Sequence, residues 1–217
     1  AVVKRFAVIS GGPGTGKTHT IRYLALNLPR HTTLLITAQQ VVKLDQYVLL
    51  ARLLQPSMVV IEDVDLIARQ RENMNGPCEE SMLNELLNEM DGLKGDADII
   101  FVLTTNRPEQ LEEALAGRPG RVDQAIEVPL PDVDCRQRLV RLYGGNLTLN
   151  DAVVAEATAR TGGMSAAFIK ELMRRIAQVT LDRNSSAVTP ADVQHAIDDM
   201  LFSGGKLNAR LLGADVD

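Results

Sequence analysis

A glycine-rich stretch near the start of the chain has the residues and spacing of a phosphate-binding loop. Residues 11–18 read Gly-Gly-Pro-Gly-Thr-Gly-Lys-Thr, which fits the pattern G-x-x-x-x-G-K-[ST]. Glycines let backbone N–H groups turn inward toward phosphate oxygens, and a helix N-terminus adds partial positive charge. Lys17 is expected to reach the β- and γ-phosphates, and the Thr18 hydroxyl to help hold Mg²⁺. The predicted nucleotide contacts are Gly12, Pro13, Gly14, Thr15, Gly16, Lys17, Thr18 and His19.

A second group of polar residues follows a short apolar run. Residues 58–61 read Met-Val-Val-Ile and lead directly into Glu62-Asp63-Val64-Asp65. Carboxylates at the end of a buried strand, beside a phosphate loop, can hold Mg²⁺ and orient an attacking water. The alternative is a core strand that reaches solvent and meets ordinary surface acids. The phosphate loop about 45 residues earlier favours the catalytic interpretation.

Apolar runs and helical patterns alternate through roughly the first 130 residues. The runs are rich in Val, Ile and Leu on both faces, which is typical of a parallel sheet covered by helices on each side. This pattern predicts an α/β fold of three layers, with a five-stranded parallel sheet in the middle and right-handed crossovers. The predicted strands are Phe6–Ser10, Thr33–Thr37, Met58–Ile61, Ile99–Thr104 and Ala125–Val128, and the clearest helices are Thr18–Leu28 and Met82–Met90.

The strand pattern stops after Pro129 and Pro131, and only helical patterns follow. The last of them is well marked, with Thr189 as N-cap and Pro190 at the first helical position. The predicted domains are therefore a nucleotide-binding α/β domain over residues 1–131, a small all-helical lid over 132–203, and a loose tail over 204–217. The predicted helices of the lid are Asp134–Leu142, Asn150–Arg160, Ser165–Leu181 and Pro190–Leu201.

Composition and charge exclude several classes of protein. The 217 residues are 45% hydrophobic with a net charge of −5, which argues against disorder and against a general nucleic-acid-binding protein. No apolar run approaches the roughly 18 residues that a membrane helix needs. Cys78 and Cys135 stand far apart, which predicts free thiols in a reducing, cytoplasmic compartment. The start at Ala1, without a signal-peptide pattern, is interpreted as a cut inside a longer protein.

Several segments together resemble the AAA family of ring-forming ATPases, which have the P-loop NTPase fold. The loop at residues 11–18 is similar to the usual GPPGTGKT, and Ile61–Asp65 is similar to IDEID. Residues 83–93, LNELLNEMDGL, resemble the helix that follows. Residues 104–123, TTNRPEQLEEALAGRPGRVD, resemble the second homology region, and VPLPD at 128–132 closes it. TGGMSAA at 161–167 resembles the start of a helix in the small lobe.

The resemblance implies roles for further residues and for partners. Asn106 would be the sensor that hydrogen-bonds the γ-phosphate and the lytic water, with Glu62 and Asp63 as the other catalytic groups. Arg118 and Arg121 would be arginine fingers that enter the neighbouring subunit's site. The family also implies ATP and Mg²⁺ as cofactors, a homo-oligomer that is a hexameric ring in the full-length protein, and a protein that the ring remodels, unfolds or disassembles.

Two departures from the family pattern leave a second hypothesis open. Glu62-Asp63 stands where Asp-Glu is usual, so the Asp63 carboxylate falls about 1–1.5 Å short of the usual position, and errors of that size can cost about 10²-fold in rate. Tyr47-Val48 is the one candidate for a pore-loop aromatic pair, but the apolar spacing favours a packed helix position for Tyr47. The alternative function is a nucleotide-dependent assembly switch or binding module with little turnover.

Overall fold

The structure is a computed structural model that describes residues 5–65, 97–109 and 122–200. Contacts divide the chain into two compact units. The first contains Ala1–Gly11 and Lys17–Val128, and the second contains Gly12–Gly16 and Pro129–Asp217. The predicted domain limits at residues 131 and 203 stay predictions, and both units are described separately below.

Five parallel strands form one sheet among the described residues of the first unit, in the order β2-β3-β4-β1-β5. Each lies within one residue of its predicted bounds, which confirms the predicted α/β fold. β4 is the central strand of this order and β1 lies between β4 and β5, so the chain crosses over the sheet from β1 to β2 and again from β4 to β5. The strands are β1 (Arg5–Ser10), β2 (Thr32–Ile36), β3 (Ser57–Ile61), β4 (Ile99–Thr105) and β5 (Gln124–Glu127).

Helices cover both faces of this sheet. Side chains alternate between the faces of a strand, so Val8 and Ile9 belong to different apolar clusters. Helix α1 (Lys17–Asn27) packs Ile21 into the cluster that contains Ile9. A 3₁₀ helix (Ala38–Lys43) and helix α2 (Leu44–Leu53) cover the other face, where Val48 and Ala51 are fully buried or nearly so. These helices form the outer two of the three predicted layers.

The two outer strands differ from the prediction that all strands are buried on both faces. β3 is buried at every position, whereas every residue of β5 is exposed and β2 is fully buried only at Ile36. The physical reason is their place in the sheet: each has one neighbouring strand among the described residues, so its side chains have fewer neighbours than those of β3 or β4. The prediction of burial was therefore wrong for β5 and for most of β2.

The described part of the second unit beyond the loop consists of four helices around their own apolar core, close to the predicted bounds. Each begins after a side chain that caps it, from Asp132, Asn150, Ser165 and Thr189. The Thr189 cap is the predicted one, with Pro190 at the first position. The helices are α3 (Val133–Gly144), α4 (Asp151–Arg160), α5 (Ala166–Asp182) and α6 (Pro190–Asp198). The predicted helix Met82–Met90 lies outside the described residues.

A charged cluster joins α5 to the residues after α6. The Glu171 carboxylate accepts hydrogen bonds from Arg174 at 2.7 Å and from Arg175 at 2.9 Å, and Arg175 also pairs with Asp199. Hydrogen bonding to Arg174 is the main reason that the pKa of Glu171 falls from 4.5 to about 2, although partial burial opposes the shift.

Candidate active site

The ends of three neighbouring strands bring the predicted catalytic residues together. β1 lies beside β4, and β4 beside β3, all in the same direction. Lys17 and Thr18 begin the helix after β1, Glu62 and Asp63 follow β3, and Asn106 follows β4. Because parallel strands end at the same edge of a sheet, these residues meet there, as in other α/β proteins with ligand sites at this edge.

The loop before α1 is built around glycines with backbone angles that other residues rarely adopt. Gly14 has φ of 74° and Gly16 has φ of 119°. The Thr15 N–H and hydroxyl both approach the Gly12 carbonyl, at 3.4 and 3.0 Å, which closes a tight turn. Within the second unit, the Ala167 N–H at the start of α5 donates to the Gly14 carbonyl at 3.1 Å.

Lys17 is a buried cation at the centre of the site, with 8% of its surface exposed. Its Nζ donates to the Gly11 carbonyl at 2.8 Å and to Asn106 Oδ1 at 2.6 Å. Burial lowers the pKa of Lys17 from its ordinary value, while the charges of Asp63 and Asp65 act in the opposite direction. The two carboxylates thus favour the charged form that phosphate binding requires.

Thr18 and Glu62 place two side-chain oxygen atoms close together in the first unit. The Thr18 hydroxyl donates to Glu62 Oε1 at 2.9 Å, although the two residues are 44 apart in sequence. Hydroxyl and carboxylate oxygens are ligands that Mg²⁺ prefers. The residue types and their proximity therefore fit the predicted metal position, in which Thr18 and Glu62 would hold the ion.

The Asn106 side-chain amide lies between a cation and an anion. Its Oδ1 accepts from Lys17, and its Nδ2 donates to Asp63 Oδ1 at 3.2 Å. Asp63 has a left-handed backbone with φ of 50°, and its N–H donates to the Thr104 hydroxyl at 2.9 Å. A neutral amide suits this place because it can accept on one side and donate on the other.

Three polar residues beneath the site, Asp65, Thr104 and Thr105, were given no role of their own from the sequence. The Asp65 carboxylate, 8% exposed, accepts from the Thr105 hydroxyl at 3.1 Å and from the Asn106 backbone N–H at 3.0 Å. Thr104 holds the backbone of Asp63, as described above. The available signal was the appearance of Thr104 and Thr105 at the end of an otherwise apolar strand, together with an additional acid after Glu62-Asp63.

The family model described as "ATPase family associated with various cellular activities (AAA)" matches residues 7–130, which is more than half of the chain. The chain belongs to the AAA family. It therefore carries an ATPase domain, and nucleotide binding is the property expected of the loop described above.

Named AAA relatives match nearly the whole chain. A 26S proteasome regulatory subunit 4 homolog from Oryza sativa subsp. japonica is 31% identical over 208 residues, covering 90% of this chain and 46% of the relative. An ATP-dependent zinc metalloprotease FtsH from Caulobacter vibrioides is 32% identical over 215 residues, covering 92% of this chain and 34% of the relative. The chain thus spans less than half the length of these curated relatives.

The remaining residues predicted for the AAA site are the two arginine fingers and the loop-region residues Pro13 and His19. Arg118 and Arg121 lie outside the described residues, and so does Cys78. Pro13 and His19 are exposed.

Tyr47 lies on α2 and is partly buried against the apolar cluster on that face, in agreement with the packed helix position favoured above. In the described ranges, no helix is both long and apolar enough to span a bilayer, and the cytoplasmic location stays a prediction.

Proposed function

We propose that the chain binds ATP with Mg²⁺ and hydrolyses it at sites shared between the subunits of a ring. The observation that carries this proposal is the line of contacts from Lys17 through Asn106 to Asp63, with distances of 2.6 and 3.2 Å. It joins a phosphate-binding cation, a neutral sensor amide and a carboxylate base at one edge of the sheet. A structural cluster of ordinary surface acids would not require a buried lysine.

The roles of the site residues follow from their chemistry. Lys17 and the loop N–H groups bind the phosphates, and Asn106 orients the lytic water and the base. Asp63 accepts the proton of a water whose oxygen attacks the γ-phosphorus, the bond to the bridging oxygen breaks, and ADP leaves. Mg²⁺, held by Thr18 and Glu62, would supply positive charge against the phosphate oxygens.

The proposed ring completes each site with a group from a neighbouring subunit. Arg118 and Arg121 are the residues proposed to reach across, since a planar guanidinium stabilises charge spread over phosphoryl oxygens. In GTPases such an arginine is worth roughly 10³–10⁵ in rate. A site divided between subunits would make ATP state and ring geometry depend on each other. A hexamer is the proposed state of the full-length protein.

A protein is the proposed substrate of this ring. The relatives are named as a regulatory subunit of the 26S proteasome and as ATP-dependent metalloproteases. The net charge of −5 further disfavours a nucleic acid as the partner. We therefore propose that ATP hydrolysis remodels, unfolds or disassembles a protein partner.

A slow, nucleotide-dependent assembly switch is the alternative function. The short Asp63 side chain favours it, because a protein whose carboxylate lies too far from the water would bind ATP but hydrolyse it slowly. Turnover at saturating ATP separates the two functions. A ring ATPase hydrolyses ATP continuously, whereas a switch assembles on ATP without sustained turnover.

The test is ATP turnover per subunit over a wide range of protein concentration. Lys17→Ala is the blank, since removing Nζ is expected to abolish ATP binding, and Arg22→Ala on the exposed side of α1 is its matched control. Specific activity that rises with concentration is the expected result. A rate equal to the blank at every concentration, with ATP still bound, would reject the ring ATPase in favour of the switch. Unchanged ATP affinity in Lys17→Ala would reject the phosphate-loop assignment.

A further inference from the structure

We infer that Asp65 is a positioning residue for ATP hydrolysis, because its carboxylate holds Asn106 in the place that the reaction needs. This inference rests on the proposed function and adds a residue to it. Asp65 follows β3, is 8% exposed, and lies beneath the line of contacts from Lys17 to Asp63. It acts through Asn106 rather than on ATP itself.

Asp65 contacts the chain at the end of β4. This strand ends at Thr105, so Asn106 is not part of the sheet. Its backbone N–H donates instead to Asp65 Oδ1 at 3.0 Å, and the same oxygen accepts from the Thr105 hydroxyl at 3.1 Å. The Thr105 hydroxyl in turn accepts from the Arg107 N–H at 2.9 Å. One carboxylate thus organises three consecutive residues.

The backbone of Asn106 decides whether its amide can reach both partners. Its Oδ1 contacts Lys17 and its Nδ2 contacts Asp63, so a shift of the backbone would break one contact or strain both. Displacement by about 1 Å can cost about 10²-fold in rate. The phosphate loop has its own contacts, so ATP binding does not depend on Asp65 in the same way.

A charge effect on Lys17 is the competing role for Asp65, since the carboxylate favours the protonated lysine. The two roles separate in Asp65→Asn. An amide keeps an acceptor oxygen in the same place but removes the charge. Positioning predicts that Asp65→Asn retains turnover and Asp65→Ala does not, whereas a charge effect predicts that both variants lose it.

The first experiment compares kcat and ATP affinity in the 217-residue chain with those of its variants. We expect Asp65→Ala to lower kcat by about 10–100-fold while the Kd for ATP stays within about 3-fold of wild type. We expect Asp65→Asn to restore kcat to within about 5-fold of wild type. Ser57→Ala is the matched control, because it removes a buried hydrogen bond, to the Ala51 carbonyl at 3.0 Å, at the opposite end of β3. It is expected to lower the Tm by about 2–4 °C without changing kcat.

Wild-type kcat in Asp65→Ala would overturn the inference, and so would a loss of ATP affinity equal to the loss of kcat. Equal losses of kcat in Asp65→Asn and Asp65→Ala would also overturn it, because they would show that turnover depends on the charge of Asp65 and not on its acceptor oxygen. Thr105→Val, which removes only the bridging hydroxyl, is the milder variant if Asp65→Ala does not fold. It is expected to lower kcat about 5-fold, and no change there would also count against the inference.

A second experiment does not depend on turnover. Hydrogen exchange of the Asn106 backbone amide, followed by NMR, reports directly on the hydrogen bond that this amide donates to Asp65. We expect faster exchange at Asn106 in Asp65→Ala and in Thr105→Val, and unchanged exchange in Ser57→Ala. If wild type bound ATP without turnover, the proposed function would fail, and exchange alone would decide this inference. Unchanged Asn106 protection in Asp65→Ala would then reject it.

Discussion

The backbone N–H of Asp63 donates to the hydroxyl of Thr104 across 2.9 Å, from a residue in the left-handed conformation with φ of 50°. Aspartate enters this region more readily than residues with longer side chains. The unusual Glu62-Asp63 order therefore suits the local backbone, because the residue that must turn sharply out of β3 is the one that tolerates the turn. The bond to Thr104 then directs Asp63 toward Asn106.

The base role of Asp63 is tested by Asp63→Asn. Asparagine has the same shape and also tolerates the left-handed backbone, so the fold and ATP affinity should be kept. Turnover should fall by about 10²–10⁴-fold, because the amide cannot accept the proton from water. Steady-state hydrolysis and binding of a fluorescent ATP analogue measure the two quantities. Asp98→Asn, at an exposed position before β4, is the control, and turnover within 3-fold of wild type in Asp63→Asn would exclude the base role.

The shared-site proposal is tested by mixing two inactive proteins. Arg121→Ala should retain ATP binding and lose turnover, because the arginine is proposed to act on a neighbour's nucleotide. A mixture of Arg121→Ala and Asp63→Asn should regain part of the activity, since some interfaces then combine an intact arginine with an intact base. The rate should peak near equal proportions. A mixture no more active than the mean of its two components would argue for sites contained within one subunit.

Gly14 is expected to be intolerant of a side chain. It has φ of 74°, and a Cβ there would lie 2.8 Å from the Ala167 Cβ and 3.0 Å from the Ser165 Oγ. Gly14→Ala should therefore destabilise the loop by about 1–3 kcal/mol and weaken ATP binding about tenfold. Titration with ATP and urea unfolding measure the two effects. Gly162→Ala is the control, since its nearest contact is an ordinary 3.8 Å, and equal behaviour of the two variants would contradict the proposed strain.

The Glu171 cluster predicts a stability change at acid pH. The pKa of Glu171 is about 2 in the folded chain, below its ordinary 4.5, so its stabilisation is complete above about pH 4.5 and is lost as the pH falls toward 2. Glu171→Gln should lower the free energy of unfolding by about 1 kcal/mol at pH 7. The difference from wild type should shrink between pH 4.5 and 3.

Urea unfolding at several pH values measures this difference. Glu156→Gln is the control, because its pair with Arg160 on α4 is exposed. Its effect at pH 7 should stay below about 0.5 kcal/mol. A difference between Glu171→Gln and wild type that persisted undiminished at pH 3 would mean that packing, and not the charge of Glu171, stabilises the cluster.

The sequence predicted the parts of the site that depend on local pattern. The loop spacing predicted the roles of Lys17 and Thr18, and the acids after an apolar run predicted those of Glu62 and Asp63. The contact of Asp65 with Asn106 spans 41 residues and depends on how β3 aligns with β4, which no local pattern encodes. The exposure of β5 was missed for a similar reason: an edge strand and a central strand can have equally apolar sequences.

The parallel register has a consequence for insertions and deletions. Ile61 lies opposite Leu103, and Ser10 opposite Thr105, so the alignment of these strands sets how far each proposed catalytic group extends beyond the sheet. Each residue of a strand adds about 3.3 Å, and a slip of one residue also turns every side chain to the other face. Deletion of a single residue within β3 would therefore separate Glu62 and Asp63 from Asn106, although the sequences that contain these residues would be unchanged.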